Sequence, residues 1–123
     1  MENTTAAVIA FDFDGVLAPT KGFVDHEHIE EPNQEVVRAI QLLREKGCKV
    51  LIHSTRGDAF IQKYCGQFNI EVDYINRRPD KEGHNPGKPI AFVYIDDRAL
   101  NYHGQSADEL VTEIATFKPH WAK

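Results

Sequence analysis

Ala6-Ala7-Val8-Ile9-Ala10-Phe11-Asp12-Phe13-Asp14-Gly15-Val16 is the stretch that decides how this chain folds. From Ala6 to Phe11 every residue is apolar, and the run then stops at two aspartates and a glycine. A short continuous apolar run bounded by turn-forming polar residues marks a strand buried on both faces. The first strand therefore covers 6–11 and delivers Asp12 and Asp14 to a loop at its carboxyl end. Strands of this kind belong to parallel sheets, and parallel neighbours need crossover helices between them.

The rest of the chain supplies those helices. The stretch 18–32 is polar and broken by Pro19, Gly22 and Pro32, after which Val36, Val37, Ile40 and Leu43 recur at helical spacing up to Gly47. That pattern, closed by a glycine, predicts a helix over 33–46. Lys49 to His53 reads as a second strand, and Phe60, Ile61, Tyr64, Cys65 and Phe68 as the apolar face of a second helix. Ile70 to Ile75 reads as a third strand, and Asn76 to Pro89, dense in charge, glycine and proline, as a loop. Ile90 to Ile95 reads as a fourth strand that ends abruptly at Asp96-Asp97-Arg98. Ser106 and Glu109 are spaced for a capping box ahead of Leu110, Val111, Ile114 and Phe117, which starts the last helix. Strands alternating with helices imply right-handed crossovers. The expected architecture is a single α/β domain over 1–123, a three-layer α/β/α sandwich with a Rossmann-like parallel sheet of four or five strands. Little chain follows the last helix, which favours four.

Composition narrows the function classes. With 123 residues, 41% of them apolar and 27% charged, the chain has the make-up of an ordinary globular domain. A formal charge of -5 leaves no electrostatic footprint for nonspecific nucleic-acid or membrane binding. The apolar start is too short for a signal peptide or a membrane span, so the expectation is a cytoplasmic protein with no membrane partner. Cys48 and Cys65 form no Cys-x-x-Cys pair and read as free thiols rather than as zinc ligands or a disulfide framework.

In open α/β sheets the ligand sits outside the carboxyl ends of the strands. Three strand ends here carry polar chemistry: Asp12 and Asp14, Ser54 and Thr55, Asp96 and Asp97. Four carboxylates at one sheet edge repel each other and lose solvation, a cost that a bound divalent cation removes. Carboxylate and carbonyl oxygens without histidine or thiolate favour Mg²⁺, which commonly shares its coordination sphere with a phosphate. The expected cofactor is Mg²⁺ and the expected substrate a phosphate ester.

At these residues the chain resembles the haloacid dehalogenase-like superfamily, in which phosphatases working through an aspartyl-phosphate predominate. The resemblance rests on Asp12-Phe13-Asp14-Gly15-Val16, on Ser54 in His53-Ser54-Thr55-Arg56, on Lys88 in Gly87-Lys88-Pro89, and on Asp96-Asp97. It implies that Asp12 attacks phosphorus, that Asp14 acts as general acid and base, and that Ser54 and Lys88, or Lys81 in place of Lys88, stabilise the transferring phosphoryl group. It further implies a Mg²⁺ site made by Asp12, the Asp14 carbonyl and Asp96, with Asp97 in support. No insertion is large enough for a cap domain, so the expected site is open. It would admit bulky phosphorylated substrates, nucleic-acid ends among them, as readily as small metabolites.

Competing readings stand beside this one. A phospho-accepting signalling module uses similar residues, but it would place its adjacent acidic pair after the first strand, whereas here Asp-x-Asp comes first and the pair last. A non-catalytic phosphate-binding protein on the same fold is the third reading. Thr55 and Arg56 are candidate substrate contacts, with Arg56 equally open to pairing with a carboxylate. Arg98 reads as an ion-pair partner and His53 as a hydrogen-bonded histidine at the core's rim. Asp25-His26-Glu27-His28 reads as solvated surface. Trp121 is open to docking on the body or to self-association, so a homo-oligomer stays on the list of partners.

Overall fold

The computed structural model describes residues 7–19, 29–79 and 89–122. The segment Asp25 to His28 and both lysine candidates, Lys81 and Lys88, lie outside the described residues. Strand β1 spans Val8–Asp12, helix α1 Gln34–Glu45, strand β2 Lys49–His53, helix α2 Asp58–Gln67, strand β3 Tyr74–Ile75, strand β4 Val93–Ile95 and helix α3 Ala107–Thr116. Among the described residues these strands form one sheet in the order β3-β2-β1-β4, parallel throughout. Registers place Asp12 beside His53 and Phe11 beside Ile95. The sequence moves outward from β1 to β2 and β3 and then jumps back to β4, so the order reverses at β1, where such sheets open a crevice.

Alternation along the strands sorts the core. Ile9, Phe11, Val50 and Ile52 share a cluster with Val37 and Ile40 of α1 and Ile61, Tyr64 and Cys65 of α2. Val8, Ala10 and Leu51, one residue out of phase, bury on the opposite face with Tyr74 and Ala91 against them. Phe60, Tyr64 and Phe68 pack as helical spacing predicts, Tyr64 edge-on to Phe13 at 4.7 Å. Cys48 and Cys65 are free and buried.

Local signals explain the element ends. Asn33 caps α1, its side chain accepting from the Glu35 and Val36 N–H groups, while its own N–H donates to the Leu17 carbonyl. At the other end Gly47, at φ 90°, lets its N–H reach the Arg44 carbonyl and the Cys48 N–H reach Leu43, which is a Schellman closure. Ser106 and Glu109 form the expected capping box on α3. Asp73 locks β2 to the approach to β3. Its carboxylate accepts from the Val50 N–H and from Nε and Nη2 of Arg44. Burial raises the Asp73 pKa, but the hydrogen bonds from Arg44 and Val50 outweigh it and leave the carboxyl below its usual value.

Expectations change at β4, β3 and α3, and of the run 90–95 only Val93–Ile95 pairs as strand. Of the apolar run 70–75 only Tyr74–Ile75 pairs as strand. Ile70 is instead buried at the exit of α2, its N–H closing on the Cys65 carbonyl. The apolar stripe of α3 is not core. Val111 and Ile114 are 67% and 61% exposed, and β4 carries exposed side chains throughout. No helix among the described residues is long and apolar enough to cross a membrane.

Candidate metal centre and active site

Three carboxylates gather at the carboxyl ends of β1 and β4, where the strand order reverses. Asp12 ends β1, and Asp96 and Asp97 follow β4 directly. One carboxylate oxygen from each lies within 4.8 Å of the other two. Oxygens gathered this closely could be shared by one cation, and an all-carboxylate set is of the kind that hard cations take. Among the described residues no nitrogen or sulfur ligand belongs to the cluster, unlike the usual zinc site.

Each member is held by a distinct donor. Asp12 Oδ1 accepts from the Phe13 N–H at 2.9 Å. Asp96 Oδ1 accepts from the Arg98 N–H at 2.8 Å, and Asp97 Oδ2 from the indole N–H of Trp121 at 2.7 Å. The electrostatic cost of the cluster falls on Asp12. Burial comes first, then a hydrogen bond shared with Asp97, then the charges of Asp96 and Asp97; together they push its pKa from 3.8 up to about 8 against the opposing Phe13 N–H.

This shift has a defined sign in pH. An acid whose folded pKa is raised favours folding while it stays protonated, and that contribution is lost as pH rises through the folded value. With Asp12 at about 8 against 3.8 in the free side chain, the chelator-treated protein loses stability progressively across that window. Thermal unfolding followed at steps between about pH 5 and pH 9 is expected to show a falling midpoint. Asp12→Asn should flatten the profile, and a divalent cation, by replacing the proton, should oppose the decline.

Asp14 stands apart from the triad. Its carboxylate is gripped by Arg56, Nη2 to Oδ1 at 2.9 Å and Nε to Oδ2 at 3.0 Å. The Arg56 residue is only 7% exposed, and its guanidinium also lies over the rings of Phe60 and Phe13 at 4.8 and 5.6 Å. Of the two readings open for Arg56, pairing with a carboxylate is the one observed, and the carboxylate is Asp14. The bidentate pair engages the Arg56 fork with Asp14 in this structure. Ser54 follows β2; its Oγ accepts from the Arg56 N–H at 3.0 Å and its own N–H donates to Asn76 Oδ1 at 2.7 Å, so the hydroxyl hydrogen remains to donate. Thr55 is exposed beside it. His53, expected to be hydrogen-bonded, has a buried Nδ1 with no partner among the described residues. Arg98 lies over the Trp121 ring at 5.7 Å rather than pairing as expected with the acidic residues beside it.

Sequence reasoning missed three contributors. Gly15, at φ 87°, is so close to Asp97 that a Cβ there would overlap its carboxylate and lie 3.3 Å from Trp121 Nε1. His120 Nε2 is 2.8 Å from the Gly15 carbonyl. Trp121 sits in the 3-10 turn His120–Ala122, docked on the body as one of its two readings had it. Only Gly15 carried a signal, since a glycine after Asp-x-Asp marks a tight approach.

No family model matches the chain, and no curated protein matches it. Among solved structures, that of a conserved protein from Bacteroides thetaiotaomicron is similar, with 24% identity, 89% of each chain covered and a TM-score of 0.61. That likeness extends to the fold alone, and with the all-parallel four-stranded sheet it makes this chain an α/β protein of Rossmann-like type.

Proposed function

We propose that the chain is a Mg²⁺-dependent phosphohydrolase of the haloacid dehalogenase-like superfamily, capless and three-layered, that cleaves a phosphate monoester through an aspartyl-phosphate on Asp12. The observation that carries this reading is the meeting of Asp12, Asp96 and Asp97 at the sheet's reversal point. Carboxylate oxygens brought this close repel one another, and a divalent cation offsets that repulsion, which is what supports the reading.

Asp12, Asp96 and Asp97 would hold the ion, with the Asp14 carbonyl assigned by resemblance. When bound, Mg²⁺ supplies charge for the phosphoryl oxygens and keeps Asp12 ionised. Asp12 then offers a carboxylate oxygen to phosphorus, forming the O–P bond as the ester oxygen departs in line. Ser54 donates its hydroxyl hydrogen to a non-bridging oxygen. Asp14 protonates the leaving oxygen and later takes a proton from the water that hydrolyses the acyl phosphate. Both Asp14 oxygens are paired here with the buried Arg56 guanidinium, so Asp14 must turn out of that pair to act as acid and base, a role assigned by resemblance. Lys88, with Lys81 as its alternate, is assigned to the phosphoryl group by resemblance alone. A phosphorylated molecule is the proposed partner, in a cytoplasmic setting.

The test is hydrolysis of a generic aryl phosphate. Turnover should require Mg²⁺ and stop on addition of EDTA. Metal-independent turnover would sink the mechanism. A chain that becomes stably phosphorylated without multiple turnovers would point instead to the phospho-accepting signalling reading.

A further inference from the structure

The 3-10 turn at 120–122 comes from a part of the chain remote from every motif, yet it touches the carboxylate cluster directly. Trp121 Nε1 donates to Asp97 Oδ2 at 2.7 Å, among the shorter hydrogen bonds of the site. His120 Nε2 lies 2.8 Å from the Gly15 carbonyl, and because a carbonyl can only accept, that nitrogen carries the proton. The Ala122 N–H closes the turn on the Pro119 carbonyl. Across the indole the Arg98 guanidinium lies 5.7 Å from the ring. The turn is thus tied at one point to the loop after β1 and at another to the loop after β4, the two loops that bear the carboxylates.

We propose that this turn is part of the metal centre, with Trp121 a positioning residue that holds Asp97 in the orientation in which it receives the ion together with Asp12 and Asp96. The inference rests on the metal reading above. An indole N–H on one oxygen fixes the side-chain torsions of Asp97 and leaves Oδ1 to the cation. It also spreads the negative charge of a carboxylate that faces two others. Outer donors of this kind commonly set metal affinity by 10- to 100-fold while touching no metal themselves. The absent Cβ of Gly15 is what makes room for the arrangement, since a side chain there would occupy the space in which Asp97 and Trp121 meet.

Trp121 is the single tryptophan of the chain, so its emission reports on the surroundings of this one side chain. The experiment titrates MgCl₂ into the chelator-treated full chain, followed in parallel by calorimetry and by tryptophan emission, and repeats the calorimetry on Trp121→Phe. Phenylalanine keeps an aromatic ring at this position and removes the N–H donor. The wild type should saturate in both measurements with one midpoint, and the variant should bind Mg²⁺ at least about 10-fold more weakly. A metal-free circular dichroism spectrum matching the wild type's shows that the variant is folded, whatever stability the lost hydrogen bond to Asp97 costs. Equal Mg²⁺ affinity in the two proteins overturns the role of Trp121 and leaves the metal reading standing. Absence of Mg²⁺ binding to the wild type overturns both.

Discussion

Asp12→Asn is expected to abolish turnover of aryl phosphates, by at least about three orders of magnitude in kcat, while leaving the fold no less stable. The substitution is close to isosteric. An asparagine oxygen can still accept from the Phe13 N–H that now bonds Oδ1. What disappears is the negative oxygen that must form the bond to phosphorus, and an amide is a very weak nucleophile. The stability half of the expectation follows from the same electrostatics. Asp12 is the group on which burial and the neighbouring charges of Asp96 and Asp97 fall, so neutralising it relieves repulsion in the metal-free protein. Steady-state kinetics with Mg²⁺ and thermal unfolding with EDTA, both near pH 8, check the two halves. Full activity in the variant would remove Asp12 from the chemistry. Inactivity joined to a large loss of stability would mean that the fold had failed, and that the assay carried no information about the nucleophile.

Gly15→Ala should be the second most damaging change, for a steric reason. At φ 87° an L side chain is strained, and the cost is about 1–2 kcal/mol. The added methyl would also overlap the Asp97 carboxylate, with Asp97 Cγ only 2.7 Å away. Asp97 is short and already bonded to Trp121, so it cannot fold aside and still face Asp12 and Asp96. A displacement of about 1 Å at a reacting centre can cost about 100-fold in rate, and a loss of that order in kcat/KM is expected here. Kinetics against Mg²⁺ concentration should show an apparent metal requirement raised along with the rate loss. Wild-type kinetics in Gly15→Ala would mean that Asp97 is not needed where it stands.

These two residues also mark how far the sequence could be read. Asp12 was legible because the apolar run before it has one interpretation in an α/β chain, and such a strand delivers whatever follows to the ligand-binding edge. Helices α1 and α2 were legible from spacing, and their ends from Asn33 and Gly47. Apolar runs proved ambiguous where burial and pairing part company. Ile70 is buried because it closes the exit of α2, not because it joins the sheet, and hydropathy cannot separate the two. In α3 the stripe was correctly placed on one face, yet periodicity reveals a face and never its partner. The site followed the same division. Candidates adjacent in sequence to strand ends could be read directly, while the partners brought to them from afar could not. Arg56 stood beside Ser54, but its partner Asp14 is 42 positions away, and Trp121 reaches Asp97 from 24 positions beyond it. Contacts of that range leave no trace in local pattern.

Strand order has a consequence for how the site comes apart. Asp12 ends β1, which is paired on both sides and packed on both faces; Asp96 and Asp97 follow β4, a three-residue strand paired on one side only, with its side chains exposed. Local opening free energies scale with such differences, from near zero at exposed margins to the global value in the core. Asp12 and the other two carboxylates therefore do not share one opening equilibrium. The cluster can dissolve by detachment of its margin while β1 and β2 keep their protons from exchange, and whatever ties the loop after β4 down sets the lifetime of the assembled site.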